Sequence, residues 1–203
     1  MTLANDPAGG RREQTKTQNR QTILAAARQV FAELGFGAAT VRDIIRATPL
    51  ASGTFYNYFK SKEEVYLALR DEVALAIRPR LKEERARAAS VEEFLSFSFR
   101  AFFEFVGQRR AELRPAGNGK SGWRLDTPEV IAGFDELRAD LRDAVGRGLF
   151  PAVDTDFLVA AFIGVAFEIA GQLLARDGGD PAAAAEFATK LFLGGITSLP
   201  PKG

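Results

Sequence analysis

Residues 40–62 read TVRDIIRATPLASGTFYNYFKSK, and the fold turns on them. Thr40 stands as an N-cap before Val41, Ile44 and Ile45, which open a short helix. That helix must stop by Thr48, because Pro49 disfavours helical geometry in the residue before it. Ser52 is placed to cap a second short helix running to Phe59. Two short helices joined by a tight turn have the spacing of a helix-turn-helix, whose second helix enters the major groove of DNA. Phe55 and Phe59, i and i+4, face a core, which leaves Ser52, Gly53, Thr54, Tyr56, Asn57 and Tyr58 for the exposed side. Hydroxyls and an amide suit phosphate oxygens and base edges, and Gly53 lets the backbone approach a sugar-phosphate wall. Lys60 and Lys62 flank the second helix with positive charge.

Outward from this stretch the pattern stays helical. In residues 17–34 the apolar side chains Ile23, Leu24, Ala27, Val30, Phe31 and Leu34 fall on one face, and Gly35 ends the segment. Ser61 with Glu64 forms a capping box for a longer helix with Val65, Tyr66, Leu69 and Val73 inside, which Pro79 is expected to end or kink. Further helices are expected over 91–113, 128–148, 155–175 and 181–197, capped by Ser90, Thr127, Asp154 and Asp180. No stretch alternates convincingly at period two. The fold class is therefore all-α, an N-terminal three-helix helix-turn-helix domain followed by a C-terminal helical bundle. The expected divisions are a flexible polar tail over 1–15, the helix-turn-helix domain over 16–62 and the helical bundle over 63–203. Residues 115–126, PAGNGKSGWRLD, read as a loop or lid. Gly119-Lys120-Ser121 within it is no phosphate loop, since that motif needs a glycine where Arg114 stands, and a preceding strand.

Composition removes much enzyme chemistry. The 203 residues contain no cysteine and no histidine, so disulfides, thiolate metal sites and histidine general bases are excluded. No catalytic residue, metal ligand or cofactor is assigned. The N-terminus has no apolar segment behind Arg11-Arg12, so a cytoplasmic location is expected. The net charge of +1 hides an asymmetry. Residues 1–62 hold nine Lys/Arg against four Asp/Glu, a net of +5, and the remainder carries −4. A basic head on a mildly acidic body suits a head that meets a polyanion.

Residues 157–175, FLVAAFIGVAFEIAGQLLA, are apolar enough to suggest a membrane span, but Glu168 interrupts them and basic anchors at both ends are missing. One bulky stripe, Leu158, Phe162, Val165, Ile169 and Leu173, lies opposite a second of Ala160, Gly164, Phe167 and Gly171. Ala184, Ala188, Leu191 and Gly195 repeat the pattern in the last helix. Two such helices meeting their copies in a second chain would make an intersubunit four-helix bundle and a homodimer. Helix 91–113 carries six phenylalanines, too many for one stripe, and is expected to be surrounded by protein. Phe97, Arg100, Phe103, Trp123, Phe134 and Glu168 are the candidate walls of an apolar ligand pocket between helices, with Arg100 as the candidate partner of an acidic headgroup.

The run Arg20, Ile23-Leu24, Ala26-Ala27, Phe31, Gly35-Phe36, Thr40-Val41, Asp43-Ile44, Gly53-Thr54, Tyr56, Phe59 and Ser61-Lys62-Glu63 resembles the DNA-binding domain of the TetR/AcrR family of transcriptional regulators. The resemblance covers about residues 18–66. It implies an all-helical homodimer whose DNA-binding domain, 16–62, reads a palindromic operator while the effector-binding and dimerisation domain, 63–203, binds an effector; the expected function is a repressor released by a small apolar or aromatic ligand. By position it implies phosphate or base contacts for Thr40 and Arg42, recognition-helix roles for Thr54, Tyr56, Asn57 and Tyr58, and a phosphate anchor in Lys62. The turn departs from the family pattern, since Thr48-Pro49-Leu50-Ala51 stands where many members have Ala-Gly-Val-Ser. The alternative reading is a small-molecule carrier in which the helix-turn-helix is scaffold only.

Overall fold

The computed structural model describes residues 7–113 and 127–196, with side chains from Arg12 onward except those of residues 111 and 112. Nine helices and no strand are present among the described residues. The chain divides into two compact units, one ending at Leu69 and the other beginning at Arg70.

The first unit holds α1 (Pro7–Ala38), α2 (Val41–Arg46), α3 (Ser52–Tyr56) and the start of α4 (Lys62–Ala86). α1 begins well before residue 17, inside the stretch expected as a polar tail. Its break falls where the sequence places it: Gly35 has φ 75° and ψ 153°, a backbone region essentially reserved for glycine. Ile23, Leu24, Ala27, Val30, Ile44, Phe55, Phe59 and Val65 form the core of this unit. Leu34 does not join them and is 51% exposed, because the helical register breaks at the next residue.

The second unit contains the rest of α4, then α5 (Val91–Gln108), α6 (Arg110–Leu113), α7 (Pro128–Gly146), α8 (Thr155–Ala175) and α9 (Pro181–Ile196). α5 lies at its centre, packed on α8 and α9, and buries Phe94, Phe99, Phe103 and Phe105. α8, the one candidate span by length and composition among the described residues, packs Leu158, Phe162, Ile163, Ala166, Ala170 and Leu173 into this core.

Three local expectations are corrected. Pro79 neither ends α4 nor stands at its edge; the helix continues to Ala86 with the exposed ring on its outer side. The expected helix over 91–113 breaks at Arg109 into α5 and α6. Gly107 lowers helix propensity there, and it is glycine because the position of a Cβ would lie 2.8 Å from Pro181 Cγ at the start of α9. Thr127 precedes α7 without capping it by its side chain. Pro128 has no N–H to offer, and the Asp71 carboxylate reaches from α4 to accept the N–H of Glu129 at 3.1 Å. Ser90, Asp154 and Asp180 cap as expected, accepting from Glu93, Asp156 and Ala182. The loop over 115–126 lies outside the described residues.

Candidate nucleic-acid interface and effector cavity

Thr40 caps α2, accepting the N–H of Asp43 on Oγ1 while the Asp43 carboxylate accepts the Thr40 N–H. The Thr40 hydroxyl also donates to Asp43 Oδ2 at 2.6 Å, and this bond first, then that of the Thr40 amide, holds the Asp43 carboxyl below its usual pKa, with lesser help from Arg46 and Arg42. Arg42 and Arg46 project into solvent on α2.

The altered turn is built without a left-handed residue, since among the described residues only Gly35, Gly148 and Gly178 have positive φ. Thr48 does the work that a turn glycine does elsewhere. Its hydroxyl donates to the Ile45 carbonyl at 2.8 Å and accepts the Leu50 N–H at 3.2 Å, so the chain reverses around Pro49 with its polar groups paired. Ser52 does not cap α3. Ala51 occupies the cap position with no side-chain bond, and Ser52 is the first helical residue. The helix ends at Tyr56, not Phe59, and the chain continues to Phe59 as a turn held by the Thr54 and Phe55 carbonyls.

Phe55 and Phe59 are buried with ring centroids 6.1 Å apart, which fixes the rotation of α3 about its axis. Ser52, Gly53, Tyr56 and Asn57 are exposed, Tyr56 by 58%. Thr54 is half-buried. Tyr58 is half-buried too and packs on the core, so it presents less than the sequence suggested. Lys60 is exposed, with its backbone N–H on the Glu64 carboxylate at 2.7 Å. Lys62 is turned inward: its ammonium donates to the carbonyls of Phe36 and Ala39, both at 2.8 Å, and lies 4.7 Å from the centroid of the Phe36 ring.

In the second unit a cavity of about 110 Å³, room for several waters, lies among α4, α5, α7 and α8. Phe99, Phe102, Phe105, Phe134, Phe162 and Phe167 wall it together with Val73, Ile77, Val106, Leu137 and Ala166. Arg70, Arg78, Arg85, Ser98, Glu129 and Glu136 supply its polar groups. Arg78 is ion-paired with Glu129 and Glu136, the latter at 2.6 Å, and this bond holds the Glu136 carboxyl below its usual pKa. Arg85, 4% exposed, meets Asp140 at 2.6 Å. The Ser98 hydroxyl donates to the Phe94 carbonyl.

Of the wall residues expected from sequence, Phe134 alone lines this cavity among the described residues. Phe103 is fully buried and stacks on Phe99, Phe97 sits under the Arg87 guanidinium, and Arg100 and Glu168 face solvent. Trp123 lies outside the described residues. The arginines and Ile77 were missed because a helix stopping at Pro79 hides their continuity: Arg70, Ala74, Ile77, Leu81 and Arg85 recur every three or four residues along α4.

The small-residue stripes also divide. Ala160, Leu191 and Gly195 are exposed, and Gly164, Gly171 and Ala184 half-exposed. Ala188 is buried inside its own chain and Phe167 lines the cavity, because each sits on the inward side of its helix. Phe157 and Phe187, which sequence reading passed over, are 79% and 62% exposed on α8 and α9.

Comparison with known proteins agrees with this geometry. The family model described as bacterial regulatory proteins, tetR family, matches residues 23–69. The fatty acid degradation regulator FadR from Bacillus halodurans is 28% identical, with TM-score 0.70 over 88% of this chain and 96% of that one. FadR from Bacillus subtilis, solved in complex with stearoyl-CoA, is 24% identical with TM-score 0.69, covering 87% and 98%. A TetR-family regulator from Syntrophomonas wolfei is 19% identical with TM-score 0.73, covering 91% and 97%. With buried Phe55 and an exposed α3 face, residues 23–69 thus form a helix-turn-helix similar to that of the tetR family of bacterial regulatory proteins, and the chain shares the fold of the FadR regulators.

Proposed function

We propose that the protein is a cytoplasmic, homodimeric repressor that binds a palindromic operator through residues 16–62 and leaves it when a small apolar or aromatic ligand enters the cavity of the body, residues 63–203. The observation that carries this reading is α3, a five-residue helix whose one large apolar side chain, Phe55, is fully buried while Ser52, Gly53 and Tyr56 are exposed. In this proposal Arg42, Lys60 and Thr40 hold phosphates, and Ser52, Gly53, Thr54, Tyr56, Asn57 and Tyr58 meet the groove. In a dimer joined through α8 and α9, the two recognition helices need a spacing of about 34–36 Å, one helical turn of DNA, to meet successive major grooves.

The effector class rests on the six phenylalanines of the cavity wall, where Arg78 and Arg85 are already paired with acidic side chains. An acyl chain, such as that of the stearoyl-CoA bound by Bacillus subtilis FadR, is an apolar group of the kind such walls accept. A ligand releases the operator only by its difference in affinity for the two dimer conformations.

The test begins with selection of duplexes from a random pool by the purified protein, followed by release assays with acyl-CoA and aromatic compounds. A two-fold symmetric consensus is expected. Ala166→Trp, which fills the cavity, is expected to keep operator affinity and lose ligand release. Tight ligand binding with no duplex selected would favour the carrier reading instead.

A further inference from the structure

Lys62 opens α4, and the resemblance implied that its charge serves a DNA phosphate. Its geometry assigns it other partners. An ammonium has three protons, and three backbone carbonyls surround this one: Phe36 and Ala39 at 2.8 Å and Gly37 at 3.4 Å. These carbonyls lie just past the Gly35 break, where the end of α1 leaves its last acceptors unpaired and its dipole favours a cation. The Phe36 ring completes the seat, 4.7 Å from the ammonium and 4.9 Å from the ring of Tyr66, one turn along α4. To reach a phosphate, Lys62 would have to abandon the half-buried Phe36 and Ala39 carbonyls.

The position of these bonds gives them a function. Ala39 is buried and directly precedes the Thr40 cap of α2, and Lys62 directly follows the segment that carries α3. One side chain therefore ties together the two points at which the helix-turn-helix enters and leaves its support. We propose that Lys62 is a positioning residue, which sets the pitch of the recognition helix by joining α4 to the end of α1 and does not contact the DNA backbone. The proposal rests on the DNA-binding reading above.

The experiment compares wild-type protein with Lys62→Met, which keeps the aliphatic stem over Phe36, in titrations against a selected operator duplex and a random-sequence duplex over a series of KCl concentrations. A lost phosphate contact would weaken both duplexes alike and make the slope of log K against log salt shallower by about one. A lost positioning bond is expected to lower operator affinity at least tenfold, with random-duplex affinity and slope unchanged. A shallower slope, or unaltered operator affinity, would overturn the proposal. Wild-type protein that does not distinguish the two duplexes would instead remove the DNA-binding reading, and the proposal with it. A second readout survives any folding defect of the variant. In free wild-type protein, Lys62 is expected to be acetylated at least tenfold more slowly than exposed Lys60, measured by mass spectrometry; equal rates would contradict the seat described above.

Discussion

Thr40 and Asp43 cap each other at the entrance to α2: the Asp43 N–H donates to Thr40 Oγ1 at 3.3 Å, and the Thr40 N–H donates to Asp43 Oδ2 at 3.0 Å. The pair sets the start of the helix-turn-helix by local bonds alone. Thr40→Ala is expected to lower stability by about 1 kcal/mol in urea denaturation. The pH dependence has a definite sign. The folded carboxyl lies below its usual pKa, so its contribution is present above the unfolded value and is lost as pH falls through the folded one. The stability gap between wild type and Asp43→Asn should therefore be open at neutral pH and close in acid.

Burial, not bond length, decides the worth of the ion pairs. Arg85–Asp140 at 2.6 Å and Arg80–Glu104 at 2.7 Å are nearly equal in distance, but Arg85 is buried while Arg80 and Glu104 are both over a third exposed. Asp140→Ala leaves a buried guanidinium unpaired and is expected to cost about 3 kcal/mol. Glu104→Gln should change stability by less than about 1 kcal/mol. Thermal or urea unfolding of the two variants checks the contrast.

Gly35 and Gly53 should respond in opposite ways. Gly35→Ala strains a backbone region that L residues avoid and is expected to cost about 1–3 kcal/mol. Gly53 is helical, and a Cβ there meets nothing within 4 Å. Gly53→Ala should thus keep or slightly raise stability. On the proposed reading it lowers operator affinity, because the added methyl faces the groove, and a binding titration beside a melting curve shows both.

Exposed Phe187 and Leu191 make the proposed dimer testable. Phe187→Glu and Leu191→Arg are expected to give folded monomers in sedimentation analysis, since both side chains are exposed in the single chain. Ala188→Arg, one residue along from Phe187 but fully buried, should instead unfold the body. If the two surface variants remain dimeric, α8 and α9 are not the interface.

The helix-turn-helix was legible in sequence because its determinants are local. Thr40, Gly35, Phe55 and Phe59 each act within a few residues, through a cap, a left-handed φ or an i,i+4 contact. The turn was half legible: Pro49 announced the departure, but the Thr48 hydroxyl that satisfies it could not be singled out among neighbouring candidates. The cavity of the second unit was largely illegible. Its walls come from four helices far apart in sequence, so Phe134 and Phe103, both plausible on composition, end respectively on the cavity and in solid core. The arginine stripe of α4 was concealed by a local rule for proline that packing overrides, since Pro79 sits on the outer side of a helix stabilised by its inner face.

Sequence-specific binding is the central claim, and one titration tests it most directly: purified protein against duplex fragments from upstream of its own gene, with excess random-sequence competitor, over a salt series. The expected result is a saturable complex that survives competitor, weakens steeply as salt rises, and is lost in Tyr56→Ala. Binding that competitor removes entirely, on these fragments and on duplexes selected from a random pool, would contradict it.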